Sequence, residues 1–406
     1  MSRHYAVAVA VLKKLVEKGY TTFFAGGWVR DYLMDHPSDD IDIVTAASME
    51  EIQNLFPQTV PIGVDFGVVI VVEEIYRFEV ATFRKDREYK DGRRPIGIDR
   101  ATPEEDAKRR DFTINGMFYD PLTENLYDYV GGREDIKKGV IRAIGNPRER
   151  FLEDRLRMIR AVRYAARFHF SIAPETVKAI LDHADRLFPA VAIERVRNEL
   201  YKMAACSNFD RAIITLHRLR LLPTIFPQLK DVSIEEIEKR LENLPHFPPA
   251  TPSIAKILEL FPNASLRGKT NLAAYLKLSN RELAFIRYYH RAEEIFTSTE
   301  EREKYEWAHL YADPLYPITL KIIALHFPPA ARQPFLQKHR IRYDRLKQAI
   351  GRIQARTPVI TSKDLTRVGI EKGPEMGRLL KTGERIAINE GLEDPRAVLK
   401  RLGLTS

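Results

Sequence analysis

The chain has 406 residues, 44% hydrophobic and 30% charged, with a formal net charge of +9. That length favours more than one domain, and no stretch approaches the roughly 20 apolar residues of a membrane span. Cys206 is the only cysteine, which excludes an intrachain disulfide or a CxxC metal site and suits a reducing cytoplasm.

MSRHYAVAVAVLKKLVEKG has an apolar run that lysines interrupt at helical spacing, with no small-residue cleavage site after it. It reads as an amphipathic helix ending near Gly19, not a signal peptide. TTFFA (21–25) reads as a short strand, followed by a glycine turn and a short helix over 26–34. DIDIVTA (40–46) reads as a strand, and ASMEEIQNLF (47–56) has helix spacing. VVIVVEE (68–74) and YRFEVATFR (76–84) predict neighbouring strands of one sheet. RKDREYKDGRRP (84–95) is charged and without apolar periodicity, the composition of a mobile loop. From about residue 146 the pattern turns helical, beginning with FLEDRLRMIRAVRYAARFHF. Helices continue to the end, with proline clusters at 243–252, 314–317 and 328–334 predicted to break them. Residues 331–406 hold 17 Lys/Arg against 8 Asp/Glu. A basic end suits a polyanion such as nucleic acid, or equally a solvated helical surface.

The richest segment is GGWVRDYLMDHPSDDIDIVT, residues 26–45. Asp40 and Asp42 lie two apart in the expected strand, so both carboxylates should leave one face. Two hard oxygen ligands side by side are what a pair of Mg²⁺ ions needs. Gly26 and Gly27 can bring backbone N–H groups close to a triphosphate at the entrance to a helix. Arg30, on that helix's first turn, can fork onto phosphate oxygens. Each feature alone has an ordinary explanation: a surface Asp-x-Asp, a plain turn, an Arg–Asp ion pair. Their order and spacing together make coincidence a poor account.

Gly26-Gly27-Trp28-Val29-Arg30-Asp31-Tyr32-Leu33 followed by Asp40-Ile41-Asp42 resembles the signature of the class II tRNA nucleotidyltransferase and bacterial poly(A) polymerase family. That family lies within the polymerase-β-like nucleotidyltransferases; Asp35 stands here where its glycine is usual. RRDFTINGMFYD (109–120), with Gly116 where alanine is commoner, resembles its second motif, and DYVGGREDIKKGVIRAIG (128–145) its third, a hinge. FLEDRLRMIRAVRYAARF (151–168) and VAIERVRNELYKM (191–203) resemble the two that follow.

The resemblance implies an α+β fold: a nucleotidyltransferase head of mixed sheet and helices over 1–145, followed by helices only. These would form a neck for base recognition (146–205), a body (206–330) and a basic tail that binds tRNA (331–406). It implies Asp40 and Asp42 as the catalytic pair holding two Mg²⁺ ions. It implies nucleotide contacts from Gly26, Gly27, Arg30, Arg109, Arg110, Asp111, Asn115, Asp154, Arg157, Arg160 and Arg163. Glu194, Arg195 and Glu199 would brace the preceding helix.

Asp154 and Arg157, three apart, should share a helical face. In isolation they are an ordinary surface ion pair, as Arg109, Arg110 and Asp111 are an ordinary charge cluster. Within the resemblance, Asp154 and Arg157 imitate a Watson–Crick edge, with Glu153 orienting them. Arg157 would donate to O2 and N3 of cytosine while Asp154 accepts from N4; adenine would offer N6 to Asp154 and N1 to Arg157. Guanine and uracil would leave charged groups unpaired.

The implied activity is addition of C, C and A to tRNA 3′ ends from CTP and ATP, with contacts to the acceptor arm and elbow. A-addition alone and poly(A) tailing stay open, as do an inactive RNA-binding relative and, less favoured, a small-molecule nucleotidyltransferase. The long loop at 84–95 disfavours CC addition alone. The tail at 360–402 is similar to that of the shorter bacterial CCA-adding enzymes. Asp65, Glu73 and Glu79 are open as a third metal carboxylate, Glu79 first because its strand should neighbour Asp40. Oligomeric state is not legible.

Overall fold

The computed structural model describes residues 2–36, 38–63, 67–86 and 98–404. Asp65 and residues 87–95 of the expected loop lie outside the described residues. The chain divides into two compact units, Met1–Lys239 and Arg240–Ser406.

The first unit begins with α1 (Arg3–Glu17), whose Val7, Ala8, Val11, Leu12 and Leu15 recur at helical spacing and are all buried. Each such burial stabilises by roughly 1.5–3 kcal/mol for the larger side chains. Then come β1 (Thr22–Ala25), α2 (Gly27–Leu33), β2 (Asp42–Thr45), α3 (Met49–Leu55), β3 (Thr59–Gly63), β4 (Val68–Glu73) and β5 (Tyr76–Thr82). Two short strands, β6 (Arg84–Asp86) and β7 (Ile98–Arg100), pair with each other. The head closes with α4 (Pro103–Arg109), a 3₁₀ turn at Thr113–Asn115, β8 (Met117–Asp120), β9 (Asn125–Asp128) and α5 (Gly132–Lys138).

The described strands form a seven-stranded sheet in the order β3-β4-β5-β2-β1-β8-β9. All neighbours run antiparallel except β2 and β5, which are parallel with Asp42 aligned to Glu79. One sheet face, including Phe24, Ile43, Phe78 and Val80, packs under α1. The other, including Phe23, Ala25, Val44 and Phe118, packs with Ala107 of α4. The mixed-sheet head is therefore as expected, and so is the tight β4–β5 pair. β3, β8 and β9 are additions that the sequence reading did not place.

After a two-residue parallel pair, β10 (Val140–Ile141) with β11 (Ser171–Ile172), the rest of this unit is helical. It comprises α6 (Pro147–Glu153), α7 (Leu156–Phe168), α8 (Pro174–His183), α9 (Ile193–Ala204), α10 (Phe209–Arg218), α11 (Leu221–Ile225) and α12 (Ile234–Arg240). One expectation is corrected here. The helix read as continuous from 151 breaks at Asp154, which is extended at φ −145°, ψ 104°. Its carboxylate accepts from the Leu156 N–H at 3.1 Å, and α7 starts afresh there.

The second unit is all helical: α13 (Ser253–Leu258), α14 (Leu266–Tyr275), α15 (Asn280–Thr297), α16 (Lys304–Ala312), α17 (Tyr316–Leu325), α18 (Pro329–Arg345), α19 (Lys347–Ala355), α20 (Ser362–Arg367), α21 (Pro374–Glu390) and α22 (Pro395–Arg401). The prolines at 328–334 break the helices as expected at their start, between the end of α17 at Leu325 and the start of α18 at Pro329, but not at Pro334. Pro328 and Pro329 open α18, where a missing N–H costs nothing, and Pro334 lies inside it. Arg342 lies over the Trp307 ring at 3.9 Å, and the Tyr311 hydroxyl and Nδ1 of buried His339 share a hydrogen bond at 2.7 Å. No helix of the described residues is long and apolar enough to cross a membrane.

Candidate active site

Side chains alternate along β2, so Ile43 enters the core beneath α1 while Asp42 faces the side covered by α4. Glu79 faces that same side of β5, in register with Asp42. Asp40 lies just before β2 rather than within it and is exposed. The shared-face expectation therefore does not rest on the strand: the Ile41 N–H turns back to the Asp39 carbonyl at 3.2 Å, so the chain bends at Asp40. Burial, helped by the Asp40 and Glu79 carboxylates and opposed by Arg110, pushes the Asp42 carboxyl up to about 6.

The glycine turn stands directly over this carboxylate. Gly26 has φ +67° and caps α2. A Cβ there would come 3.1 Å from Nη1 of Arg110 and 3.5 Å from Oδ2 of Asp42, so the absent side chain is what leaves the space open.

Across from it, α4 ends in Arg109 and Arg110, and one wholly buried carboxylate, Asp106, holds both. Its Oδ1 accepts from Arg109 Nε at 2.9 Å; its Oδ2 accepts from Arg110 Nε at 3.1 Å and Nη2 at 2.9 Å. Asp106 escaped the sequence reading, although arginines three and four residues after an aspartate in a helix were a usable signal. Asp111 turns to α7, where Arg160 donates to it through Nε at 2.8 Å and Nη2 at 2.5 Å. Burial alone would raise the Asp111 carboxyl, but Arg160 and the Asn115 amide outweigh it and hold it at about 2.

Arg30 lines the cleft but is tightly held from within. It is only 3% exposed. Its guanidinium bonds Asp31 and, at 2.5 Å, Asn115 Oδ1, and it stacks on Phe168 at 4.6 Å. It joins α2 to the second motif and α7.

The base-selection trio is also wired differently from the i,i+3 expectation. Because the chain is extended at Asp154, that carboxylate bonds Arg195 of α9 (Nη1 3.2 Å, Nη2 2.8 Å) and not Arg157. Arg157 donates to Glu153 at 2.6 Å and to the Arg150 and Arg109 carbonyls. Arg163 meets Glu199 of α9 at 2.5 Å. Arg195 and Glu199 therefore do tie α9 to the preceding segment. Glu194 also has a partner in the structure.

A cleft of about 820 Å³ gathers these groups. Gly26, Gly27, Arg30, Asp40, Asp42, Arg109, Arg110, Asp111, Asn115, Asp154, Arg157, Arg160 and Arg163 all line it; Glu153 stands outside the lining, against Arg157. Arg167, Arg195 and Lys202 complete the basic wall, giving eight arginines and a lysine against four aspartates. Such a cleft attracts a polyanion. Mutual repulsion at Asp40, Asp42 and Glu79 is what a divalent ion would relieve. Among the described residues no three His, Cys, Asp or Glu side chains converge on one point. The Asp40 and Asp42 carboxylates would suit a hard ion that fills its shell with water and phosphate oxygens, the habit of Mg²⁺.

Residues 22–142 match the family described as "Poly A polymerase head domain", and 169–232 that described as "Probable RNA and SrmB-binding site of polymerase A". The chain is 40% identical over 222 residues to the CCA-adding enzyme of Bacillus subtilis, covering 54% of this chain and 55% of that one. It is 42% identical over 207 residues to that of Bacillus licheniformis, covering 51% and 52%. The chain thus spans about half the length of the curated relatives it matches. Its backbone follows that of the Bacillus stearothermophilus CCA-adding enzyme in complex with CTP over 99% of this chain and 98% of that one, with a TM-score of 0.80 and 27% identity. With its head motifs placed around one cleft, the chain carries a poly(A) polymerase head domain over residues 22–142 and is similar to CCA-adding enzymes.

Proposed function

We propose that the chain adds C, C and then A to tRNA 3′ ends from CTP and ATP, releasing pyrophosphate. The observation that carries this reading is the cleft itself, where an aspartate pair at one wall faces an arginine wall built by α4, α7 and α9. Asp40 and Asp42 would hold two Mg²⁺ ions, which when bound supply charge neutralisation for the polyphosphate and the attacking hydroxyl. Arg109 and Arg110 would take the triphosphate over the open glycine turn. Asp111, kept ionised by Arg160, and Asn115 would accept and orient the ribose. Asp154 and Arg157 would read the base edge, each held by a separate partner, Arg195 and Glu153 respectively. Positioning and electrostatics then carry most of the acceleration.

The neck over 146–205 would serve base selection, and the basic tail of 331–406 would grip the tRNA by shape. A reducing cytoplasm, where tRNA matures, is the proposed compartment.

Incorporation from each labelled nucleotide with Mg²⁺, on tRNAs ending at N73, C74 or C75, decides the matter. CTP and then ATP use, stopping after three additions, is the expected result. ATP use on C75 ends alone would make the chain an A-adding enzyme, long A tails a poly(A) polymerase, and no incorporation an RNA-binding relative.

A further inference from the structure

We propose that Asp106 is the positioning residue of the triphosphate cradle, setting both Arg109 and Arg110 and fastening them to the start of β6; this rests on the nucleotidyl-transfer reading above. Three observations carry it. Asp106 is 0% exposed, so its carboxylate never reaches the cleft and cannot contact a substrate. Both of its oxygens are engaged by arginines that do line the cleft, on the wall facing Asp42. Oδ1 accepts in addition from the Arg84 N–H at 3.2 Å, so the carboxylate ties the first residue of β6 to the end of α4.

Charge separates this arrangement from a merely structural ion pair. One buried carboxylate faces two guanidiniums, leaving a net positive charge whose open side is the cleft; the Arg109 and Arg110 side chains keep 18% and 15% of their surface. A second buried acid would have neutralised the pair and removed the pull on a polyphosphate. A missing one would have let two like charges drift apart. One acid fixes their geometry and keeps the surplus, as an anion site requires.

The test is competition of inorganic tripolyphosphate against CTP, beside KM and kcat for CTP and ATP. For Asp106→Asn, the tripolyphosphate inhibition constant and both KM values should rise by about 10-fold to 100-fold, the worth of charged hydrogen bonds. kcat should change by less than about 3-fold, on the scale of 1.4 kcal/mol per decade, and the CTP-to-ATP preference should hold. Asp106→Glu, which keeps the charge, should recover most of the loss. An unchanged inhibition constant in Asp106→Asn, or equal damage in Asn and Glu variants, overturns the proposal. If Asp106→Asn does not fold, it is compared within an Arg109→Gln/Arg110→Gln background, which removes the buried charge imbalance. There, Asp and Asn at 106 should give the same inhibition constant, and a difference refutes positioning through the arginines. Wild-type protein that neither binds tripolyphosphate nor incorporates CTP would instead refute the nucleotidyl-transfer reading.

Discussion

Glu199→Ala should unfold the first unit more readily than any surface change of equal size. Nε of Arg163 donates to Glu199 Oε2 at 2.5 Å, with side chains only 8% and 4% exposed. The same guanidinium lies 4.1 Å from the Tyr164 ring centre. Lys202 approaches the other oxygen at 3.7 Å but is mostly solvated, so it adds little. Removing the acid leaves a guanidinium in a poorly hydrated site, at a cost of about 3–5 kcal/mol. A unit of 239 residues loses roughly 2–4 °C per kcal/mol, so its melting temperature should fall by about 6–20 °C. Urea unfolding followed by circular dichroism reads the change as a lower midpoint at constant slope. Arg163→Met/Glu199→Leu, which removes both charges and keeps the volume, should regain most of the loss. A single variant costing less than about 1 kcal/mol, or a double variant no better than the single, would refute the reasoning.

Asp42→Ala should abolish nucleotide incorporation, by about 10³-fold or more, while filter binding of tRNA stays within a few-fold; retained incorporation would unseat the metal assignment. Arg195→Met should loosen Asp154 and reduce discrimination of CTP and ATP against UTP and GTP by about 10-fold, and misincorporation assays would read it directly. Asp111 has a folded pKa of about 2 against an ordinary 3.8. A depressed pKa contributes stability that is full above the ordinary value and is lost as pH falls through the folded one. Asp111→Asn should therefore lower stability at pH 7, on the order of 2 kcal/mol. Its gap to wild type should narrow between pH 4 and pH 2, and a gap that stays constant in urea titrations at those pH values would contradict the assignment.

Much of the head could be read in advance because its signals are local. The run of β-branched residues over 68–72 leaves little but a strand, and the Asp40–Asp42 spacing places two carboxylates close together whatever follows. What escaped depends on partners far apart in sequence. The break at Asp154 is invisible to helical periodicity, since the apolar spacing of α7 runs through it; the carboxylate caps the Leu156 N–H and is held by Arg195, 41 residues on. Arg30 looked like an outward fork because nothing nearby shows that Asn115, 85 residues later, and the α7 rings would close around it. Asp106 lay in a run of acids where Glu105 caps the helix, Glu104 pairs with Lys108 at the surface and only Asp106 is buried, a difference that only the fold decides.

Gly116 carries a consequence for comparing sequences. A methyl group there would sit 2.7 Å from Cγ2 of Val130 and 3.0 Å from Cδ1 of Ile144. The room that alanine occupies where it is usual has here been filled by two branched side chains from other parts of the chain. Positions 116, 130 and 144 thus share a single fixed volume, and interiors packed to crystal-like density do not let one occupant grow alone. Substitutions at the three should arrive in sets, an added methyl at 116 travelling with a trimmed residue at 130 or 144. Judged one at a time, each change would look harmful; taken as a trio, they are alternative fillings of one space.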